Sequence, residues 1–184
     1  MGIILASLSP RRKELLKLIK EDFSCISENI PEIIPDDLDI LKAPEFLALK
    51  KAEAVAALHP EDTVIGADTA VFLDKKLLGK PKDKQDAEKM LLSLSRKEHF
   101  VITGCAVIKG EVKKSFSVKT AVKFKNLSVS QIRDYIENSD PLDKAGSYGI
   151  QDKGALFVEK ISGDYYNVVG LPVSKLSDEL SSFF

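Results

Sequence analysis

The chain has 184 residues, of which 44% are hydrophobic and 30% charged, and its net charge is −1. This balance fits one globular domain with a sizeable core, and it lacks the broad basic excess of general nucleic-acid-binding proteins. The two cysteines, Cys25 and Cys105, have neither the spacing of a zinc site nor that of a disulfide framework. No apolar run is long enough for a signal peptide or a membrane span, so we expect a cytoplasmic protein without membrane or nucleic-acid partners.

The first predicted elements are a strand at residues 3–6 and a helix directly after it. Ser9 is the expected N-cap and Pro10 the first helical residue. Residues 11–13 then place three cations in the first turn, where the helix dipole favours anions. A sequence that breaks a local rule in this way often does so at a functional site, and a bound anion would remove the conflict. The sequence therefore predicts a phosphate site at the start of this helix.

Helices and strands alternate along the rest of the chain, with turn residues between them. Helices are predicted at 44–58, 83–94, from 128 with a capping box, and 173–183; strands at 23–26, 63–73, 77–78, 100–108, 112–124 and 155–161; and loops at 31–39 and 140–154. Because some strands are apolar throughout and others alternate with polar residues, we expect an α/β domain with a mixed sheet. His59 and His99 fit no metal-ligand spacing and are interpreted as surface or strand-edge residues.

Asp68 lies in the most apolar of the predicted strands. Burying an unpaired carboxylate costs several kcal/mol, so Asp68 must be paired, metal-bound or placed at a cleft. Gly66 removes a side chain just upstream, as expected where a ligand approaches the backbone. Asp68 is therefore a metal ligand, or a general base that activates water, or a buried residue that accepts hydrogen bonds from loop N–H groups.

Three further charged residues are weaker candidates when each is taken alone. Lys80 precedes a proline that stiffens its placement, which makes it a candidate anion ligand. Lys51 lies on a predicted helix and Glu32 in a proline-bracketed loop, and an ordinary solvated position is the better explanation for each of them when it is considered alone.

The segment 140–151 is rich in turn residues and carries Tyr148 and Gln151, a ring and an amide suited to reading a nucleobase. A surface loop explains the segment equally well. GxxxxGK[ST], GxGxxG and Gly-x-Ser-x-Gly are all absent, which argues against P-loop, dinucleotide-binding and serine-hydrolase sites.

Several blocks of this sequence resemble the Maf family of nucleoside triphosphate pyrophosphatases. They are LASLSPRR at 5–12, GADT at 66–69, GKPKD at 79–83, DPLDKAGSYGIQ at 140–151 and VVGLP at 168–172. The resemblance covers essentially the whole chain and implies a single domain over residues 1–184. It also implies an elongated α/β fold similar to the inosine triphosphate pyrophosphatases, with a twisted mixed sheet flanked by helices and two lobes around a cleft.

The implied reaction cleaves a nucleoside triphosphate between its α- and β-phosphates, with Mg²⁺ or Mn²⁺ as the cofactor. Carried over by position, Asp68 and Glu32 would be the acidic pair that holds the metal, with Asp68 as the proton acceptor. Lys51 and Lys80 would join them in catalysis. The implied substrate-binding residues are Ser7, Arg11, Arg12, Thr69 and Gln151.

Arg11, Thr69 and Gln151 resemble the branch of the family that acts on dTTP and UTP, not on 7-methyl-GTP. Modified pyrimidine nucleotides are an open alternative as substrates, and family analogy favours a homodimer. One departure is Leu8, which occupies a place often held by glycine. Because the family is associated with arrest of septum formation, the alternative function is a nucleotide-binding regulator of cell division that acts without turnover.

Overall fold

The computed structural model describes residues 2–183, which form two compact units. The first unit comprises 2–69, Thr103–Val118 and 166–183, and the second comprises Ala70–Ile102 and Lys119–Tyr165. The expectation of one domain over residues 1–184 stays a prediction.

The strands and helices follow the order that the sequence predicts, with α5 as an additional helix. The strands are β1 (Ile3–Leu5), β2 (Ser24–Cys25), β3 (Thr63–Leu73), β4 (Lys76–Leu78), β5 (Glu98–Lys109), β6 (Val112–Phe124) and β7 (Val158–Ser162). The α-helices are α1 (Pro10–Leu16), α2 (Ala43–Ala56), α3 (Lys84–Leu94), α4 (Val129–Asn138), α5 (Tyr165–Val169) and α6 (Val173–Leu180). Short 3₁₀ helices lie at Ile40–Lys42, Ala145–Ser147, Lys153–Phe157 and Ser181–Phe183.

The strands form one mixed seven-stranded sheet in the order β2-β1-β3-β5-β6-β7, with β4 paired to β3. β1 runs parallel to both β2 and β3, whereas the β3/β4 and β6/β7 pairs are antiparallel. The α/β class and the mixed sheet flanked by helices are therefore confirmed. No helix within residues 2–183 combines the length and apolar character needed to cross a membrane.

Gly66 sets how closely helix α2 packs on strand β3. A Cβ atom at Gly66 would collide with the backbone carbonyl of Ala48 and lie 2.9 Å from Cβ of Ala52. Side chains two apart on a strand share a face, so Asp68 lies on the same face as Gly66. The close approach thus places the side chains of α2 beside Asp68.

Several boundaries differ from the predicted ones. The apolar residues Leu18 and Ile19 continue at roughly helical spacing and predict a longer first helix, but α1 ends at Leu16 and Leu18 is 65% exposed. The last strand begins at Val158 instead of residue 155, because Lys153–Phe157 forms a 3₁₀ helix. Helix α5 was not predicted, since five residues between two glycines are too few to show helical periodicity.

The interpretation of His99 as a surface or strand-edge residue is wrong. Its side chain is fully buried in the second unit, with Nε2 2.7 Å from the hydroxyl of Tyr148 and the ring edge-on to Phe124. Burial lowers the pKa of His99 to about 4, so the imidazole is neutral and suits the core. Tyr148 is also buried, at 6% exposure, and its ring is part of this core.

Candidate active site

The turn into helix α1 has the predicted geometry. Ser9 is the N-cap, its hydroxyl accepts a hydrogen bond from the backbone N–H of Arg12, and Pro10 is the first helical residue. The first turn contains no acidic residue. Ser7 is buried in the short link between β1 and α1, where its hydroxyl contacts the side chain of Arg12.

The guanidinium of Arg12 is held by three neutral acceptors. Its Nη1 lies 3.3 Å from Oγ of Ser7, its Nη2 3.0 Å from Oγ1 of Thr69 and its Nε 3.0 Å from the carbonyl oxygen of Gly170. Gly170 has a φ of +129°, a conformation that favours glycine. Since none of the three acceptors is charged, they orient Arg12 without neutralising it.

Burial lowers the pKa of Arg12 and the negative charge of Asp68 opposes this shift. Arginine nevertheless stays protonated in proteins. A half-buried, charged guanidinium whose three hydrogen-bond acceptors are all neutral is suited to binding an anion.

Lys51 on helix α2 joins two carboxylates. Its Nζ lies 2.6 Å from Oε1 of Glu32 and 2.6 Å from Oδ1 of Asp68. The Asp68 side chain is 14% exposed, whereas Glu32 is 57% exposed. With both carboxylates ionised, this trio carries one net negative charge and is suited to attracting a cation.

Burial raises the pKa of Asp68, and the positive charges of Lys51 and Arg12 oppose this rise. A carboxylate with a raised pKa accepts a proton more readily than an exposed aspartate does. Asp68 therefore combines a partner that favours its ionised form with an environment that strengthens it as a base.

A cavity of about 340 Å³ lies in the first unit beside these groups. Its lining includes Ser7, Leu8, Arg12, Asn29, Glu32 and Lys51. Leu8, the residue that departs from the family pattern, is 69% exposed at this cavity. The guanidinium of Arg12 and the Lys51–Glu32 pair thus line one cavity that is large enough for a ligand.

Six of the nine predicted site residues form two contacting groups of three within the first unit, and both groups line the same cavity. They are Ser7, Arg12, Glu32, Lys51, Asp68 and Thr69. Arg11 is half-buried on α1. Lys80 and Gln151 are exposed residues of the second unit, and their roles stay predictions.

The sequence did not predict the buried residues that support Thr69, the hydrogen-bond partner of Arg12. Thr103 on β5 and Asn167 on α5 are both fully buried, and Thr103 bonds to Thr69. A lone threonine in an apolar strand is common, so Thr103 has no distinct signal. Gly170 lies in the block at 168–172, which the resemblance had already marked.

The residues present fit a divalent metal that arrives with its phosphate ligand. Among residues 2–183 there is no cluster of three or more His, Cys, Asp or Glu side chains suited to a metal. Glu32 and Asp68 nevertheless place two carboxylate oxygens close together, since both lie 2.6 Å from one nitrogen. Mg²⁺ is typically held by one or two carboxylates, with substrate phosphates and waters completing its shell.

Comparisons with known proteins identify the family of this chain. A family model described as Maf-like protein matches residues 2–183. A protein of Thermosipho africanus (strain TCF52B) named dTTP/UTP pyrophosphatase is 54% identical over 182 residues, covering 98% of this chain and 92% of that protein. A protein of the same name from Clostridioides difficile (strain 630) is 50% identical over 186 residues, covering 100% of this chain and 96% of that protein.

Two solved structures share the fold at low identity. The Staphylococcus aureus Ham1 protein matches with a TM-score of 0.60 and 17% identity over 100% of both chains. A HAM1 protein from Coxiella burnetii matches with a TM-score of 0.50 and 12% identity over 98% of both chains. These matches support the α/β architecture alone.

Proposed function

Because this chain belongs to the Maf-like protein family, we propose that it hydrolyses dTTP and UTP to the monophosphate and pyrophosphate. The observation that carries the proposal is the contact of Lys51 with both Glu32 and Asp68 beside the cavity that Arg12 lines. Relatives named dTTP/UTP pyrophosphatase are 54% and 50% identical over nearly the whole chain.

The triphosphate binds through the cations of the site. Arg12 is oriented by neutral acceptors, so its charge and its two remaining N–H groups serve the phosphate oxygens. Ser7 and Arg11 belong to the same turn and join Arg12 in binding phosphate. The role of Lys80 as a further cation for the triphosphate rests on the family resemblance alone.

The chemical step is a displacement at the α-phosphorus. Water attacks this phosphorus and gives its proton to Asp68, and the bond from the α-phosphorus to the bridging oxygen breaks. The pyrophosphate leaves with the electron pair of that bond, and the positive charges of Arg12 and Lys51 stabilise it. Lys51 has a second role, because its charge favours the ionised form of Asp68 against the effect of burial on the pKa.

Glu32 and Asp68 are the residues that would hold Mg²⁺ or Mn²⁺. Such a cation, when bound, neutralises charge on the phosphate oxygens. The single excess negative charge of the Glu32–Lys51–Asp68 trio favours this ligand. Because the Glu32 side chain is exposed, a metal–nucleotide complex can reach it from solvent.

Arg11, Thr69 and Gln151 are proposed to select the pyrimidine nucleotide. The hydroxyl of Thr69 bonds to Arg12, so Thr69 acts on the substrate at least through Arg12. Both ordinary and modified pyrimidine nucleotides fall within the proposal. A cytoplasmic location and a homodimeric state are retained on the family resemblance.

Hydrolysis of dTTP in ¹⁸O-water tests the proposed reaction. With Mg²⁺ or Mn²⁺ and purified protein, mass spectrometry should find the label in dTMP and none in pyrophosphate. Label in orthophosphate with dTDP as the product would contradict attack at the α-phosphorus. Binding of dTTP without any product would instead favour the nucleotide-binding regulator of septum formation.

A further inference from the structure

A chain of neutral hydrogen bonds extends from Arg12 into the core of the first unit. Arg12 Nη2 lies 3.0 Å from Oγ1 of Thr69, which lies 3.0 Å from Oγ1 of Thr103. Oγ1 of Thr103 in turn donates to the backbone carbonyl of Asn167 at 2.8 Å. The chain therefore links the proposed phosphate-binding guanidinium to strand β5 and helix α5.

The direction of each bond in this chain is determined by the number of protons. The Thr103 hydroxyl has one proton, which its 2.8 Å bond to Asn167 uses. Its oxygen must then accept the proton of Thr69 at 3.0 Å. The other contact of the Thr69 hydroxyl, 3.5 Å to the carbonyl of Gly170, is too long for a good O–H···O bond. Thr69 consequently presents only lone pairs to Arg12.

The hydrogen-bond chain ends at two buried residues, Thr103 and Asn167, that hold each other in place. Thr103 and Asn167 have no exposed surface. A second bond joins them, since the backbone N–H of Thr103 donates to Oδ1 of Asn167 at 3.0 Å. The Thr103 hydroxyl is therefore held by a strand and a helix. Rotation of the Thr69 hydroxyl away from Thr103 would leave its proton only the long contact of 3.5 Å to the carbonyl of Gly170.

We propose that Thr103 is a positioning residue that fixes the hydroxyl proton of Thr69 and thereby orients the guanidinium of Arg12 for phosphate. The inference rests on the proposed function, in which Arg12 binds the phosphates of the substrate. A carboxylate in place of Thr69 would hold Arg12 more tightly but would cancel its charge. A chain of hydroxyls that ends on a backbone carbonyl fixes the orientation and keeps the charge.

Thr103→Val tests this role because it removes the hydroxyl and keeps the shape of the side chain. We expect the Kd for inorganic pyrophosphate and the KM for dTTP to rise about three- to tenfold, the range of one lost hydrogen bond. The kcat should change less than the KM. Thr103→Ser is the matched control, because it keeps the hydroxyl and should restore wild-type values.

A double-mutant cycle with Arg12→Ala separates positioning from a general structural effect. If Thr103 acts through Arg12, Thr103→Val should leave the Kd for pyrophosphate unchanged once Arg12 is absent. An equal rise in both backgrounds, or a folded Thr103→Ser that binds as weakly as Thr103→Val, would overturn the proposal.

Thr69→Val keeps the proposal testable if Thr103→Val does not fold. It breaks the same hydrogen-bond chain at a half-buried position. It should raise the Kd for pyrophosphate at least as much as Thr103→Val does, and only while Arg12 is present. An unchanged Kd in Thr69→Val would overturn the proposal.

Calorimetric binding of pyrophosphate does not require turnover, so it separates the two claims. A wild-type protein that binds pyrophosphate but hydrolyses nothing would refute the proposed function. The double-mutant cycle on pyrophosphate binding would then still decide the role of Thr103. A wild-type protein that binds neither pyrophosphate nor dTTP would overturn both.

Discussion

The ammonium group of Lys51 lies 2.6 Å from Oδ1 of Asp68, which pairs the buried carboxylate of strand β3 with a cation from helix α2. The pairing depends on Gly66, whose missing side chain lets α2 approach the strand. Asp68 is therefore neither an unpaired buried charge nor a residue that merely satisfies loop N–H groups. The same contact determines how the site should respond to mutation and to pH.

Replacing Asp68 with asparagine should abolish most of the hydrolysis while the fold survives. The kcat for dTTP should fall by about 10²- to 10⁴-fold, the usual contribution of a general base. The side chain keeps its size and loses a charge that burial disfavours. Pyrophosphate release and thermal unfolding are the measurements, with Glu14→Gln, an exposed residue that pairs with Lys17, as the control. Near-normal turnover in Asp68→Asn would remove Asp68 as the base.

Replacing Lys51 with methionine should move the acidic limb of the pH–rate profile to higher pH. The charge of Lys51 lowers the pKa of Asp68 against the effect of burial, so its loss raises that pKa further. Because the base must be ionised to accept a proton, activity should then be lost at a higher pH. The neighbouring Lys50→Met is the control, since Lys50 pairs with Glu53 at 3.4 Å. An unshifted limb in Lys51→Met would show that Asp68 does not set it.

Arg12→Ala should weaken triphosphate binding more than it slows the chemical step. We expect the KM for dTTP to rise about 10- to 100-fold, as for the loss of a charged hydrogen bond of about 1.5–3 kcal/mol. Arg12→Lys should restore little, because one ammonium cannot reach the three acceptors that a guanidinium fork bonds. Lys13→Ala, which removes an exposed cation of the same turn, serves as the control. Unchanged KM and kcat in Arg12→Ala would contradict phosphate binding at this turn.

The second unit should lose stability in mild acid because of His99. Its pKa is lowered by burial from an ordinary 6.5 to about 4. Between these values the unfolded chain binds a proton that the folded chain does not, so the free energy of unfolding falls as the pH falls through this window. Urea unfolding at several pH values should show a smaller fall in the double variant His99→Phe/Tyr148→Phe. His59→Gln should keep the wild-type dependence, and an equal fall in all three proteins would exclude His99 as the cause.

Gly66→Ala should destabilise the first unit and reduce activity with it. The added Cβ would collide with the carbonyl of Ala48, and such overpacking costs about 1–3 kcal/mol. The shift of α2 would also separate Lys51 from Asp68. Gly79→Ala is the matched control, because nothing lies within 4 Å of a Cβ there. Equal unfolding free energies in the two variants would contradict the proposed packing.

Local signals predicted much of the fold. The Ser-Pro start of α1, the span of β3 and the capping box at Ser128 are all present. Each depends on a few neighbouring residues, namely a cap, a fixed proline φ or an unbroken apolar run. His99 could not be placed in this way, because its burial depends on rings from β6 and from the loop at 140–154.

The site was predicted only in part for the same reason. The charged turn and the aspartate in an apolar strand are visible in the sequence. Glu32 and Lys51 look like solvated residues, and only the fold joins Glu32 to Asp68 through Lys51. Thr103 and Asn167 carry no charge and lie far from Arg12 along the chain. The contact of Thr103 with Thr69 arises from the neighbouring positions of β3 and β5 in the sheet, and that of Asn167 with Thr103 from the packing of α5.

Pyrophosphate release from a panel of dTTP, UTP, CTP, GTP and 7-methyl-GTP tests the central claim most directly. The wild-type protein and Asp68→Asn are assayed in parallel with Mg²⁺ or Mn²⁺, after thermal unfolding has shown that both are folded. Release from dTTP and UTP, absent from the other nucleotides and from the variant, is the expected result. No release from any nucleotide by a folded wild-type protein, or equal release by Asp68→Asn, would contradict it.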